Sequence, residues 1–439
     1  MTHIQRDLYL NQLVAKMHNG KVKIITGIRR CGKSYLLSHI FRDYLSQQQN
    51  VDDAHIIEIA LDRMEHERLR NPNELYSYVM SRLVDSKDYY LFIDEIQLSY
   101  RVKREGVDIS LIPEEDRHLA YTTFYDVLND LMAKPNLDIY VTGSNSRMLS
   151  KDIATNFRDR GSEIRMFPLS FREYYSTVTM EKADAWAEYV VYGGMPLAVL
   201  EPDETERAKY LSSLFERVYI ADVVERYGAS DAYIENLIDV VCSSVGSLTN
   251  PRKLANTLNT VGRLSTTDKT VKKYLDALED AFIFEKARRY DLKGKAYLDS
   301  PVKYYATDVG LRNARLGFRQ IEETHLMENI LFNELVLRGY QVDVGTVRYA
   351  KTVRNQKTEK QHEIDFVVNM GMKKVYIQSA FRVDDPEKRK QEITPLLKSG
   401  DFFKKILVTS GNSKPHMDDH GILYMGVIPF LLDEQSLNA

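Results

Sequence analysis

The residues best suited to chemistry stand together near the start of the chain. Gly27-Ile28-Arg29-Arg30-Cys31-Gly32-Lys33-Ser34 fits the pattern G-x-x-x-x-G-K-[ST] at every fixed position, the spacing of a loop that cradles phosphate. A triphosphate concentrates negative charge that has to be met at short range. Glycines clear the approach, backbone N–H groups and the positive end of the following helix face the oxygens, and Lys33 reaches the β and γ phosphates. Ser34 offers its hydroxyl to magnesium. All eight residues are therefore expected to bind Mg-ATP, with Cys31 a tolerated occupant of a variable position rather than a nucleophile.

A second set follows at Tyr90-Leu91-Phe92-Ile93-Asp94-Glu95, an apolar run ending in two acids. Behind the phosphate loop, with one strand between, it puts Asp94 near the metal and Glu95 where a general base polarises an attacking water. A later run ends Val141-Thr142-Gly143-Ser144-Asn145. In the sheet order of ATPases with an added central strand it lies between the first two, so that Ser144 or Asn145 orients the water or senses hydrolysis.

Positioning these groups takes a sheet. Val22-Lys23-Ile24-Ile25-Thr26, His55 to Ile59, Tyr90 to Ile93 and Leu137 to Val141 are short β-branched runs separated by helical stretches, the pattern of a mainly parallel α/β sheet covered by helices. This predicts a P-loop core over residues 1–167, with Gln97 to Ala120 as its longest loop. A helical lid or linker is expected over 168–225. Over 226–312 the order helix, helix, helix, strand, turn (Asp291 to Lys295), strand fits a winged helix-turn-helix, with Pro251 starting one helix and Thr266 or Thr267 capping the next. The remainder, 313–439, reads as a small α/β domain with a helix from His325 to Arg338.

With 439 residues, several domains are expected, since a single core stops growing well below that length. Apolar residues make up 44% and charged ones 28%, with a net charge of -3, so bulk charge favours no class of partner. Two cysteines, Cys31 and Cys242, stand in no metal-binding spacing and suit a reducing compartment. Neither a signal peptide nor a membrane-spanning run is evident, and a cytoplasmic protein without a membrane partner is expected.

Taken together, the motifs resemble those of a large prokaryotic family of AAA-type ATPases with a C-terminal domain of uncharacterised function. The resemblance rests on the phosphate loop, Phe-Ile-Asp-Glu-Ile-Gln (92 to 97), Thr-Gly-Ser-Asn-Ser (142 to 146), Phe-Pro-Leu-Ser-Phe-Arg-Glu-Tyr (167 to 174), Tyr-Gly-Gly-Met-Pro (192 to 196), Tyr305 to Arg312 and Glu363 to Phe366. It spans essentially the whole chain and implies hydrolysis of ATP to ADP and phosphate. Where the family has Gly-Arg before the Pro-Leu-Ser-Phe block, this chain has Asp159-Arg160. Arg160 becomes the candidate to stabilise charge on the transferring phosphoryl group, in its own subunit or a neighbour's; the alternative is a surface salt bridge.

Two expectations concern the second half. Lys269, Lys272 and Lys273 on the recognition helix, with Lys293 and Lys295 in the wing turn, suit contacts to DNA phosphates, while Asp276, Glu279 and Asp280 nearby argue for an interdomain role instead. The final region resembles a restriction-endonuclease-like fold of the archaeal junction-resolvase type. That likeness implies a magnesium site at Glu328, Asp365 and Gln378, with a lysine two residues beyond to assist the water. Ala380 stands there, which implies a relic site that binds nucleic acid or serves structure. Three functions follow: an ATPase driving a conformational cycle on DNA or a protein partner, a slow nucleotide-gated switch, and an ATP-regulated nuclease. ATP and Mg2+ are the expected ligands, and DNA and a second copy of the chain the expected partners.

Overall fold

A computed structural model describes residues 4–49, 51–143, 160–220, 223–224, 231–261, 265–353 and 356–438. Two compact units divide between Met166 and Phe167. The chain is α/β throughout, a parallel P-loop-type sheet in the first unit and a helical segment with a mixed sheet in the second.

The first unit contains β1 (Val22–Thr26), β2 (Ile56–Ala60), β3 (Tyr89–Asp94), β4 (Val102–Lys103), β5 (Tyr121–Thr122), β6 (Leu137–Thr142) and β7 (Gly161–Arg165). Five of them form a parallel sheet in the order β2-β3-β6-β1-β7. Every residue of β1 and β6 is buried, as befits central strands with both faces covered. On one face Ile24, Ile59, Leu91 and Val141 pack with Leu75 and Val79 of helix Pro72–Arg82 and Leu128 and Leu131 of helix Phe124–Leu131. Asn71 caps the first of these helices, and Thr123 with Asp126 forms a capping box on the second. The stretch expected as a loop after Gln97 carries two 3-10 segments, Ile109–Leu111 and Glu114–Ala120, and the antiparallel ribbon β4–β5. Strand β7 was not among the expected runs, because Gly-Ser-Glu-Ile-Arg at a sheet edge buries only Ile164.

In the second unit, helices Lys182–Tyr192, Glu204–Leu214, Asp231–Ser243, Pro251–Val261 and Asp268–Asp280 precede β8 (Phe284–Asp291) and β9 (Ala296–Ala306). Thr267 is the cap of the last helix, its hydroxyl accepting from Thr270 N–H at 3.3 Å. Phe282 takes a positive φ of 58° at the helix end, and β8 starts two residues later. After helix Glu323–Leu337 come β10 (Gln341–Val353), β11 (Gln356–Met370), β12 (Lys373–Ala380), helix Pro386–Leu397, β13 (Lys404–Thr409), β14 (His416–Met417), β15 (Ile422–Gly426) and helix Val427–Leu432. One mixed sheet joins them in the order β14-β15-β13-β12-β11-β10-β8-β9. The hairpin expected as a wing is therefore also an edge of this sheet, because β8 pairs in parallel with β10 from Arg289↔Val344 to Asp291↔Thr346. Phe332, Leu335, Phe366, Ile377, Ile406 and Leu431 lie in the core beneath it. Among the described residues no helix is long and apolar enough to cross a membrane.

Candidate functional site

Strand β1 delivers the chain into the phosphate loop, and the loop explains its glycines. A side chain on Gly27 would put Cβ 2.1 Å from the carbonyl oxygen of Met166, at a φ of 136°. Gly32 precedes the helix at φ 102°, again a left-handed setting that favours glycine. Buried Cys31 points its thiol at the Met166 carbonyl, 3.6 Å away. The helix begins at Lys33, continues with π-type turns over Leu36–Phe41 and ends as Arg42–Ser46. The Lys33 ammonium lies back over the loop, donating to the carbonyls of Gly27 and Ile28 at 2.9 Å each. Phosphate oxygens binding there exchange two neutral acceptors for charged ones, which are stronger partners for an ammonium.

The ends of β3 and β6 meet this loop. Ser34 Oγ donates to Asp94 Oδ1 at 3.0 Å, so the two residues named for magnesium converge. Both present hard oxygen donors, the type that ion takes. They share a hollow of about 480 Å3 with Ser38, Glu58, Arg63 and His66. Neither Arg63 nor His66 stood out in the sequence, because they follow β2 in a segment of charged residues with no motif. His66 Nδ1 accepts the Ala60 N–H at 3.1 Å. Thr142 at the tip of β6 donates its hydroxyl to Asp94 Oδ1 and accepts the Glu95 N–H at 3.1 Å. It thereby ties the two acids to the neighbouring strand. Glu95 has a left-handed backbone, φ 53° and ψ 48°, and its carboxylate accepts from Gln97 Nε2.

Ser144 and Asn145 lie outside the described residues; Gly143 before them bonds to Ile25 of β1. Arg160 is not brought to the loop. Its carbonyl accepts from Val22 N–H, and β7 runs parallel to β1 from Gly161↔Val22 to Arg165↔Thr26. Arg160 thus flanks the start of β1, about 16 Å along the sheet from the loop at its end.

The carboxylates of the second unit do come together. Asp365 on β11 accepts the Ser379 N–H at 2.8 Å, and Gln378 donates to Glu392 at 3.2 Å. Between Asp365 and Glu328 stands a residue the resemblance did not supply. Lys303 of β9 places its ammonium 2.8 Å from Glu328, 2.8 Å from Glu363 and 3.6 Å from Asp365. Tyr305, two residues along the same strand, donates to Glu328 at 2.7 Å. Burial and the Glu328 charge push the Asp365 carboxyl up to about 8. Burial opposes the Lys303 charge, but Tyr305 and the surrounding acids outweigh it and hold the ammonium well above the ordinary lysine range. Among the described residues no group of three or more His, Cys, Asp or Glu side chains is arranged to hold a metal ion.

Two of the motifs behind the resemblance turn out to meet. Asp308 accepts the N–H of Gly194 at 2.7 Å through one oxygen and that of Leu311 at 2.9 Å through the other. A Cβ on Gly310 would lie 1.9 Å from the Tyr192 carbonyl, and Asn313 Nδ2 donates to the carbonyls of Val190 and Val191 at 2.9 Å. Tyr-Gly-Gly-Met-Pro and Thr-Asp-Val-Gly-Leu-Arg are thus two halves of one backbone junction inside the second unit.

Residues 19–175 match the profile of an AAA domain, and residues 183–322 match a domain of unknown function (DUF8612). An uncharacterized protein of Haemophilus influenzae is 34% identical over 436 residues, covering 98% of each chain. Another, from Methanocaldococcus jannaschii, is 28% identical over 406 residues, covering 88% of this chain and 80% of its own. Among solved structures, the Aeropyrum pernix ORC1 protein in complex with DNA aligns over 72% of this chain and 93% of its own, with 12% identity and a TM-score of 0.28. A DNA polymerase III gamma subunit-related protein of Thermotoga maritima aligns over 62% and 98%, with 12% identity and a TM-score of 0.30.

Proposed function

The chain belongs to one family with the Haemophilus influenzae protein and matches an AAA domain over residues 19–175, and from that premise we propose that it hydrolyses Mg-ATP and couples the turnover to a conformational cycle on DNA or a protein partner. One observation carries the reading: Ser34 and Asp94 converge at the end of the Gly27–Ser34 loop, with Thr142 bonding both the Asp94 carboxylate and the backbone N–H of Glu95 beside it. Lys33 and the loop N–H groups hold the phosphates. Ser34 and Asp94 are the residues that would hold magnesium, which when bound neutralises charge on the phosphate oxygens. Glu95 takes the proton of the attacking water.

Within this reading Ser144 or Asn145 orients that water, and Arg160 acts, if at all, toward a neighbouring subunit's phosphates. The second reading, a slow nucleotide-gated switch, draws support from the position of Arg160 at the far end of β1, which leaves its own loop without that cation. For the remainder we read residues 168–225 as a helical lid or linker, 226–312 as a winged helix and 313–439 as a restriction-endonuclease-like domain. DNA is favoured as partner because Arg252, Lys269 and Lys272 line one open hollow at the start of two helices. A cutting site at Glu328, Asp365 and Gln378 is disfavoured, because the Lys303 ammonium already meets Glu328 and Asp365.

ATP binding and phosphate release together test the proposal. Lys33→Ala is expected to weaken ATP binding about 10- to 100-fold, the worth of charge-assisted hydrogen bonds to the phosphates. Wild-type affinity in that variant would remove the loop from the account.

A further inference from the structure

We propose that Gln97 is a positioning residue for the Glu95 carboxylate, holding one oxygen so that the other is left for the attacking water. This rests on the ATPase reading above.

The two acids at the end of β3 are fixed in different ways. Asp94 is held through its side chain, by Ser34 and Thr142. Glu95 is held through its backbone. Its N–H bonds to Thr142 Oγ1 at 3.1 Å, and its carbonyl accepts the Leu98 N–H at 2.9 Å. That leaves three side-chain torsions to be set before the carboxylate can serve as a base. The left-handed backbone at Glu95, uncommon for a residue with a Cβ, takes the chain off the strand and straight into the 3-10 turn Ile96–Leu98. Ile96 is fully buried and anchors that turn. Gln97 rides on the anchored turn, and its Nε2 donates to Glu95 Oε2.

An amide suits this task better than a cation. Lysine or arginine would hold the carboxylate as firmly but would depress its basicity through the opposite charge. A neutral N–H fixes the geometry at less cost to proton affinity. An ionised carboxylate has acceptor sites on both oxygens, so one bond to Gln97 leaves Oε1 to receive the proton. In the step itself the water oxygen bonds to the γ-phosphorus as its proton passes to Glu95. The bond from that phosphorus to the β,γ-bridging oxygen breaks, and its electron pair leaves on ADP.

Phosphate release by the full chain, measured against ATP concentration, tests this with Gln97→Met, which keeps length but loses the donor, and Gln97→Glu. Gln97→Met is expected to lower kcat about 10- to 100-fold through misplacement of the base, with KM for ATP unchanged within about twofold. Gln97→Glu, which sets a second carboxylate against the first in place of the donor, is expected to lower kcat by a similar factor, because the two acids repel and the held geometry is lost. In a Glu95→Gln background, where no base remains to be positioned, Gln97→Met is expected to cost nothing further. Normal kcat in both Gln97 variants while Glu95→Gln alone loses turnover would overturn the positioning role and leave the base assignment standing. So would an equal loss from Gln97→Met in both backgrounds. Normal turnover in Glu95→Gln would instead overturn the base assignment, and the role of Gln97 with it.

Discussion

Lys303 meets three carboxylates from inside a sheet, and its neighbourhood shows what charge can do at a single position. Glu328 and Asp365 are buried, and Glu363 joins them at the ammonium. Removing the cation of a buried ion pair strands its carboxylate partner, here Glu328, at a cost of about 3–5 kcal/mol. Lys303→Met should destabilise the chain by that order in chemical denaturation. A variant as stable as wild type at neutral pH would mean that the acids were never ionised around Lys303. In the sequence Lys303 is only a lysine in a strand-like run, whereas Gly27 to Ser34, Asp94 and Glu95 declare themselves through spacing. The difference is physical. The phosphate loop is built from consecutive residues, while the Lys303 cluster exists only once β9, β11 and helix Glu323–Leu337 are folded against one another.

Elements were legible where their own residues decide them. Strands β1, β2, β3 and β6 of the first unit follow from β-branched runs, and helix starts follow from Pro251 and Thr267. Edge strand β7 and the pairing of β8 with β10 were not legible, because the former buries a single residue and the latter depends on a partner about 55 residues away in the chain. The junction between Tyr192–Pro196 and Thr307–Arg312 belongs to the same scale, and it carries a pH signature. Burial raises the Asp308 carboxyl to about 6 from an ordinary 3.8, against the pull of the backbone N–H groups it accepts. The folded chain therefore holds this proton more tightly than the unfolded chain does. The stabilisation is complete below the unfolded value and fades as pH rises through the folded one, by about 3 kcal/mol in total. Asp308→Asn has no such proton to lose, and it turns an amide N–H toward a backbone donor. Its deficit relative to wild type should accordingly shrink by about that amount between acidic and neutral pH. A deficit that stays constant would show that the Gly194 and Leu311 N–H groups cancel the effect of burial, and one that grows would show that they outweigh it.

At the scale of the whole molecule, ATP is the proposed ligand of the first unit and DNA that of the second, whose lysines suit nucleic-acid phosphates. Lys269 and Lys272 belong to the second unit and the phosphate loop to the first. Duplex or branched DNA should accelerate phosphate release by wild type, and Lys269→Ala with Lys272→Ala should blunt the acceleration and flatten its salt dependence by roughly two in slope. Basal turnover in the double variant should match wild type. Acceleration that persists unchanged would direct the search to a protein partner. The family and the α/β class were open to a sequence reading because the motifs are dense in the first unit. Partner and oligomeric state leave no such local trace, since surface lysines serve solvation as readily as recognition.

The most direct test of the central claim is to measure ATP binding and steady-state phosphate release on the same preparations of wild type and Glu95→Gln. Binding should be unchanged and turnover should fall about 10²- to 10⁴-fold, as expected when a general base is lost. Equal turnover in the two proteins would contradict the assignment of Glu95 as the base, and ATP binding without turnover in either would contradict the hydrolytic reading of the site.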